Sequence, residues 1–525
     1  MNFHYMFIIQ GDKMKNVLGR ELPSFIEGYG EVVPFEGAFK KAGEKKKATV
    51  NVKSVTPMDE KLVNSIDEVL DKVNIKDGMT ISFHHHLRNG DYILNTVVEA
   101  IAKRGIKDLR IAASAIFPVH EPLVKYMESG VVTRIATNYI SGPVAKAISE
   151  GKLKYPAVMH THGGRARAIE SGDLHIDVAF VAAPACDNYG NINGLYGKSA
   201  CGALGYAVAD AECADKVVAI TDNLVPYPNC PIEISQIYVD YVVKVDSIGD
   251  PAGIVSGTTQ ITKDPVGLKI AKMALDTMVA SGLVKEGMSF QTGAGGISLA
   301  VAAELREFMK KENIKGSFAS GGITGYIVDM YREGLFKNLF DVQCFDLKAV
   351  ESYSSTHEHM RMSASMYGNP DNKGAVVNNL DIVILGATEI DTNFNTNVTT
   401  ASDGVIMGGS GGHSDTAAGA KLTIIVTKLA KARLPIIKDS VTTVTTPGES
   451  IDVIVTERGI AVNPRRTDLI EKLKNTNLPV MTIEELKAIA EKITGTPKSI
   501  ELSDEVVAVV EYRDGSVIDV VKKPL

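Results

Sequence analysis

Asp177-Val178-Ala179-Phe180-Val181-Ala182-Ala183-Pro184-Ala185-Cys186-Asp187-Asn188-Tyr189-Gly190-Asn191-Ile192-Asn193 and Asp381-Ile382-Val383-Ile384-Leu385-Gly386-Ala387-Thr388-Glu389-Ile390-Asp391-Thr392-Asn393-Phe394-Asn395-Thr396-Asn397 follow one pattern. Asp177, Val181, Ala183, Asp187, Asn191 and Asn193 return as Asp381, Leu385, Ala387, Asp391, Asn395 and Asn397 at a constant displacement of 204 residues. Working outward, Lys216 to Ile220 returns as Lys421 to Ile425 at 205, and Asp77 to Phe83 as Glu286 to Thr292 at 209. Three blocks in one order, with small drift, are the mark of a tandem duplication with altered loops. The apolar residues alone would not decide this, because any two α/β halves share strand-like runs. The polar pairs do decide, since Asp187/Asn191 and Asp391/Asn395 stand just past apolar runs where packing does not demand them.

Each half has the same grammar. After the strand-like run Met79 to Phe83, Ile93, Leu94, Val97, Val98 and Ile101 recur at helical spacing, and a second strand is expected near Leu109 to Ala113. After Met288 to Thr292 come Ile297, Val301, Leu305 and Met309, again one helix face. The runs Val178 to Ala182, Val217 to Ile220, Ile382 to Leu385 and Ile424 to Val426 are short and continuously apolar, as strands buried on both faces must be. The expected class is α/β: two tandem domains, each an open, mostly parallel sheet covered by helices. Gly249, Pro251, Gly253 and Gly257 break the periodicity between Ser247 and Lys263. The expected division is therefore 1–50, an N-terminal extension and surface-draping segment, then 51–255 and 256–525.

Length and composition agree: 525 residues exceed one usual core, and 45% hydrophobic with 23% charged residues describes an ordinary globular chain. A net charge of −7 offers no basic footprint, so nucleic acid is excluded as a partner class. Five cysteines without a CxxC pair argue against a disulfide framework and for a cytoplasmic setting. The apolar Met6 to Gln10 is too short to span a bilayer, so no membrane partner is expected, and Met14 is a second candidate start beside Met1.

In an open parallel sheet, ligands bind beyond the carboxyl ends of the strands, which points to three glycine-rich stretches. Gly293-Ala294-Gly295-Gly296 lies between strand and helix, where bare N–H groups can meet an anion; it is neither a P-loop nor GxGxxG. Gly408-Gly409-Ser410-Gly411-Gly412-His413-Ser414-Asp415 is costly to order unless its N–H groups line an oxyanion or carboxylate site, the alternative being a flexible surface loop. On the functional reading the loop lies outside the core, so alanine at Gly409 or Gly411 should abolish activity with little change in Tm. Ser317 to Gly325 is a third strand end entering a helix. His84-His85-His86, His160-Thr161-His162 and His357-Glu358-His359 lack a metalloprotease spacing, and no metal site is expected. The basic run Lys40, Lys41 and Lys45 to Lys47 reads as solvated, with docking of an acidic carrier protein as the alternative.

The doubled halves, Asp187-Asn188-Tyr189-Gly190-Asn191, both glycine clusters and Val455-Thr456-Glu457-Arg458-Gly459-Ile460-Ala461 resemble the CoA-transferase superfamily. More narrowly, Gly19-Arg20-Glu21-Leu22-Pro23, Gly28-Tyr29-Gly30, Pro34-Phe35 and His162-Gly163-Gly164-Arg165-Ala166-Arg167-Ala168 resemble the citrate lyase alpha-subunit family across Met14 to Leu525. The superfamily's nucleophilic Glu is replaced by Ser320 or Gly321. The resemblance therefore implies transfer without an enzyme-bound acyl intermediate, by positioning and oxyanion stabilisation.

The implied reaction moves a carrier thioester from acetyl to citrate, giving citryl carrier and acetate. The chain itself would bind no cofactor, because the thioester rides on the prosthetic group of an acyl carrier protein or on CoA. The implied partners are the lyase (beta) and acyl-carrier (gamma) subunits, citrate and the acetyl thioester, in an oligomeric complex. On this resemblance Gly409, Ser410 and Gly411 cradle the oxyanion, with Gly408 and Gly412 beside them. Ser320 and Gly321 face the site, Asn395 orients a carbonyl, and Gly293, Gly295 and Gly296 meet the thioester. Arg165, or another Arg, pairs bidentately with a spare citrate carboxylate, and His162 lines the substrate site. A free-CoA transferase or hydrolase, including one specific for citramalate, and a non-catalytic regulator on the same fold are the alternatives.

Overall fold

The computed structural model describes residues 13–40, 47, 55–84, 86–255, 260–498 and 500–525. Met6 to Gln10, Lys41, Lys45, Lys46, His85 and Gly257 lie outside the described residues. In the first half the strands are β1 (Thr80–Phe83), β2 (Leu109–Ala113), β3 (Val132–Thr137), β4 (Ala157–Met159), β5 (Val178–Ala183), β6 (Lys216–Thr221) and β7 (Tyr241–Lys244). In the second they are β8 (Ser289–Thr292), β9 (Gly316–Ile323), β10 (Phe336–Cys344), β11 (His359–Arg361), β12 (Ile382–Leu385), β13 (Leu422–Val426) and β14 (Val453–Val455). The spatial order is β4-β3-β2-β1-β5-β6-β7 in one sheet and β11-β10-β9-β8-β12-β13-β14 in the other, and all these pairings are parallel. The two orders are the same.

The matched polar residues explain how. Asp177 Oδ2 accepts from the Thr80 N–H at 2.7 Å, and Asp381 Oδ2 from the Ser289 N–H at 2.8 Å, so each aspartate satisfies the first donor of a central strand. A small sheet repeats too: Ala185–Asp187 pairs with Ile192–Asn193 and Leu224–Val225, as Glu389–Asp391 pairs with Thr396–Asn397 and Ile437–Lys438. Helix Ile93–Lys103 buries all five of its expected apolar positions, each worth about 1.5–3 kcal/mol on full burial. In helix Gly296–Glu312, Val301, Leu305 and Met309 are fully buried.

The chain departs from the expected division at its ends. Strands β15 (Leu502–Glu511) and β16 (Val517–Pro524) join the first sheet, β15 lying parallel to β4, so 256–525 is not one unit. The N-terminal segment does more than drape. Leu22, Ile26 and Val32 form a small core with Val506, Val509, Val517 and Val520, and Arg20 pairs with Asp519 at 2.6 Å. A single larger core contains side chains of both sheets, which meet where Gly205 donates to the Val342 carbonyl and Ala364 to the Gly205 carbonyl. No helix among the described residues is long and apolar enough to cross a membrane.

Candidate active site at the seam between the sheets

The loop after β4 and the loop before helix His413–Gly419 interlock. Thr161 caps helix His162–Ser171: its Oγ1 accepts from the Gly164 N–H at 2.8 Å and donates to Asp415 Oδ1 at 2.8 Å. Asp415 Oδ2 accepts from the Gly163 N–H at 2.9 Å. The His162 N–H donates to the Gly411 carbonyl at 2.8 Å, and the Ile140 N–H to Gly408 at 3.2 Å.

The Gly408–Gly412 cluster is therefore a packed joint, and the expectation of a loop outside the core is corrected. A Cβ on Gly409 would lie 2.3 Å from the Asn138 carbonyl oxygen, and one on Gly412 2.2 Å from Tyr367 Oη. Gly411 has φ +51°. The N–H groups of Gly408 and Gly411 are held by the Thr399 and Asn138 carbonyls, which removes those two from the expected oxyanion cradle. Buried Ser410 pairs with Ser414 at 3.0 Å.

His162 does reach the seam, with its tautomer set by Asn138. Asn138 Nδ2 donates to the Thr161 carbonyl at 3.0 Å and stands 2.9 Å from His162 Nδ1. An amide nitrogen only donates, so Nδ1 accepts and the ring proton is on Nε2. Burial, reinforced by Arg165, pushes His162 down to about 3. It is a neutral donor. The ring lies 4.6 Å from that of Tyr206 and 6.4 Å from that of Tyr367.

Ser320 and Gly321 stand where expected, near the carboxyl end of β9, at a register shift between Gly321 and Gly322. Gly321 has φ +109°, and a Cβ there would meet the Gln291 side chain at 2.8 Å. Ser320 Oγ donates to Gln291 Oε1 at 3.1 Å, and Gln291 Nε2 donates to Tyr367 Oη at 2.8 Å. Burial raises the Tyr367 and Tyr206 hydroxyls, so both remain protonated donors at neutral pH. Arg88, within electrostatic reach of Tyr206, sits at φ +54°, with its guanidinium 4.6 Å from the Phe345 ring centre and 5.5 Å from that of Phe117. Phe345 in turn packs against Gly322.

Two expected site residues are engaged elsewhere. Arg165, 3% exposed, makes a bidentate pair with Asp210 at 2.6 and 2.8 Å and donates to the Ala112 carbonyl. Its charge is already matched, which corrects its assignment to a citrate carboxylate. Asn395 closes its own turn: Nδ2 donates to Asp391 Oδ2 at 3.0 Å and Oδ1 accepts from the Gly448 N–H at 2.9 Å. Asn191 and Asp187 make the equivalent turn at 2.8 Å. Its role is to hold the loop rather than orient a substrate carbonyl. Asn395→Ala is expected to lower Tm by an amount corresponding to about 1–3 kcal/mol, with turnover per folded molecule unchanged. Thermal melts beside active-site titration test this.

Gly293, Gly295 and Gly296 lie at the half-exposed start of helix Gly296–Glu312, two residues past Gln291. The histidine motifs resolve separately. His84 Nε2 accepts from the Ala182 N–H at 2.7 Å, its Nδ1 meets His86 Nδ1, and burial pushes His84 down to about 4. His160 Nδ1 pairs with Glu511 at 2.9 Å. Two groups among the described residues could bring three metal-ligand atoms together: buried Asp341–Cys344–His359 and more exposed His175–Asp177–Asp215. Cavities of about 270 and 100 Å³ lie beside Arg20 and Asp519 and beside Tyr29, His160 and Glu511.

Sequence reasoning missed Arg88, Asn138, Tyr206, Gln291 and Tyr367. The available signal was position, since Gln291 directly precedes the first glycine loop and Arg88 follows the end of a central strand.

Two sheets of one strand order, joined at their carboxyl edges over a set of neutral donors, define an enzyme of the CoA-transferase-like class. The fold alone is shared, at 14% identity and a TM-score of 0.62, with a Pseudomonas malonate decarboxylase structure. The model of the citrate lyase alpha subunit family matches residues 59–524, and the chain belongs to that family. The citrate lyase alpha chain of Haemophilus influenzae is 50% identical over 468 residues, 89% of this chain and 94% of the relative. That of Escherichia coli is 50% identical over 463 residues, 88% and 91%. A citrate lyase alpha subunit from Streptococcus mutans, solved in complex with citrate, superposes with a TM-score of 0.94 at 51% identity, covering 97% of this chain and all of that one.

Proposed function

We propose that this chain exchanges the acyl group of a carrier thioester, converting acetyl carrier and citrate to citryl carrier and acetate at the seam, without an acylated enzyme. A citrate carboxylate attacks the acetyl carbonyl and the thiolate leaves, forming a mixed anhydride. The thiolate then attacks the citryl carbonyl and acetate departs, so the thioester is conserved and no net proton is released. Each addition places negative charge on a carbonyl oxygen. The His162 Nε2–H and the Tyr367 hydroxyl are the preorganised donors suited to meet it.

The observation that carries this reading is the strand end at Ser320 and Gly321. Where a nucleophilic carboxylate would stand there is a hydroxyl tied to Gln291 and a glycine whose Cβ position is filled. The relative solved with citrate supports the choice of acceptor. The uncapped N-terminus of helix Gly296–Glu312 suits the arm that bears the thioester. In this reading the chain works in the cytoplasm, in a complex with a lyase subunit and an acyl carrier subunit, and binds no cofactor of its own. Mass spectrometry of acetylated carrier mixed with the chain and citrate tests it: the carrier should change from acetyl to citryl, and an unchanged or merely deacetylated carrier would refute it.

A further inference from the structure

We propose that Arg88 is the carboxylate anchor of the seam, binding a spare carboxylate of the polycarboxylate acceptor through its guanidinium fork. The inference rests on the exchange reading above for the identity of the acceptor, and on four observations for the site. Arg88 Nη1 is buried without a hydrogen-bond partner. Among the described residues no Asp or Glu lies within ion-pair distance of Arg88, whereas Arg165 and Arg167, buried on the helix after β4, each hold an aspartate. A part-buried cation whose Nη1 is shut off from water is costly to hold without a counter-ion unless an anion arrives to complete it.

The ring contacts with Phe117 and Phe345 are the second observation. Aromatic rings around a guanidinium limit its motion and displace water while leaving the edge of the fork available for the two oxygens of a carboxylate. The third is the backbone. Arg88 sits in the left-handed region at φ +54°, a conformation that glycine or asparagine adopts with less strain, and Asn89 and Gly90 follow it directly. A strained conformation kept for a long cationic side chain argues that the side chain is needed there.

The fourth is location. Tyr206 is within electrostatic reach of Arg88, and its ring is 4.6 Å from that of His162. Arg88 is thus beside the donors that would face the reacting carbonyl. A phosphate on a carrier's prosthetic arm is many bonds from its sulfur and would not reach the reacting group and this cation together, whereas the carboxylates of one small acceptor would. The acceptor carries three negative charges, and the seam's other named donors, His162, Tyr206 and Tyr367, are neutral. Arg88 supplies the missing complement.

The test is calorimetric titration of citrate into the full chain and its Arg88→Gly, Arg88→Gln and Arg88→Lys variants, with carrier thioester KM measured in parallel. Arg88→Gly relieves the left-handed strain, so its melting temperature should equal or exceed that of the parent and guards against simple misfolding. Citrate affinity is expected to fall about 100-fold in the Gly and Gln variants and less in the Lys variant, which keeps charge but loses the fork. The thioester KM should be unchanged. Folded variants that bind citrate as the parent does, or that lose thioester affinity instead, would overturn the assignment. Because citrate binding is read directly, a chain that binds citrate through Arg88 yet transfers no acyl group would refute the exchange reading and leave the anchor standing.

Discussion

Alanine at Gly409 is expected to destabilise the chain by about 1–3 kcal/mol and to remove most acyl exchange. The added Cβ would stand 2.3 Å from the Asn138 carbonyl oxygen, which is backbone and cannot rotate away. Moving it disturbs Asn138, whose side chain orients His162, and the contact by which Gly411 meets Thr161. Stability and catalysis fall together because one joint serves both. Gly295→Ala is the control: the nearest atom to its Cβ is Ser298 Oγ at 3.9 Å, so its Tm should not move. Differential scanning calorimetry of the two variants measures this, and an unshifted melting temperature for Gly409→Ala would show that the loop yields as a surface loop does.

Replacing His162 by alanine is expected to lower kcat by about 10² to 10³, the usual loss for one oxyanion donor. Asn138 fixes the proton on Nε2, and burial holds the ring neutral down to about pH 3. His162 therefore acts as a donor and not as a titrating base. The ring's NMR signals should show no titration between pH 5 and 8, and exchange activity should show no inflection attributable to it there. For stability the sign follows from the lowered value: the unfolded histidine binds its proton near 6.5 and the folded one only near 3. The contribution of His162 is thus complete above about 6.5 and declines as the pH falls toward 3. An inflection near 6.5 in kcat that disappears in His162→Gln would instead make the residue a general base.

The sheets were legible because their strands are buried on both faces. Val178 to Ala183 and Ile382 to Leu385 are apolar throughout, and their neighbours repeat in order. Ser320, Gly321 and His162 were read to the seam, where they do lie, whereas Arg165 and Asn395 were read to it and are engaged elsewhere. The partners of the latter two explain why. Asp210 lies 45 residues from Arg165, and the Gly448 N–H lies 53 residues from Asn395, so nothing local distinguished a committed polar group from an available one. The same holds for the glycine cluster, whose conformation is demanded by Asn138 and Tyr367 from other elements rather than by ligand alone. Arg88 stayed hidden because its strained φ and its lack of a counter-ion are properties of the folded chain.

The central claim is acyl exchange without an acylated enzyme, and one mass-spectrometric experiment addresses it directly. Acetylated carrier, citrate and the full chain are mixed, quenched at successive times within one turnover, and the intact masses of carrier and chain are recorded together. The account predicts that the carrier shifts from acetyl to citryl while the chain keeps its unmodified mass at every time, with nothing for hydroxylamine or borohydride to trap. A transient acyl adduct on a carboxylate of this chain, forming and decaying at the rate of turnover, would contradict it.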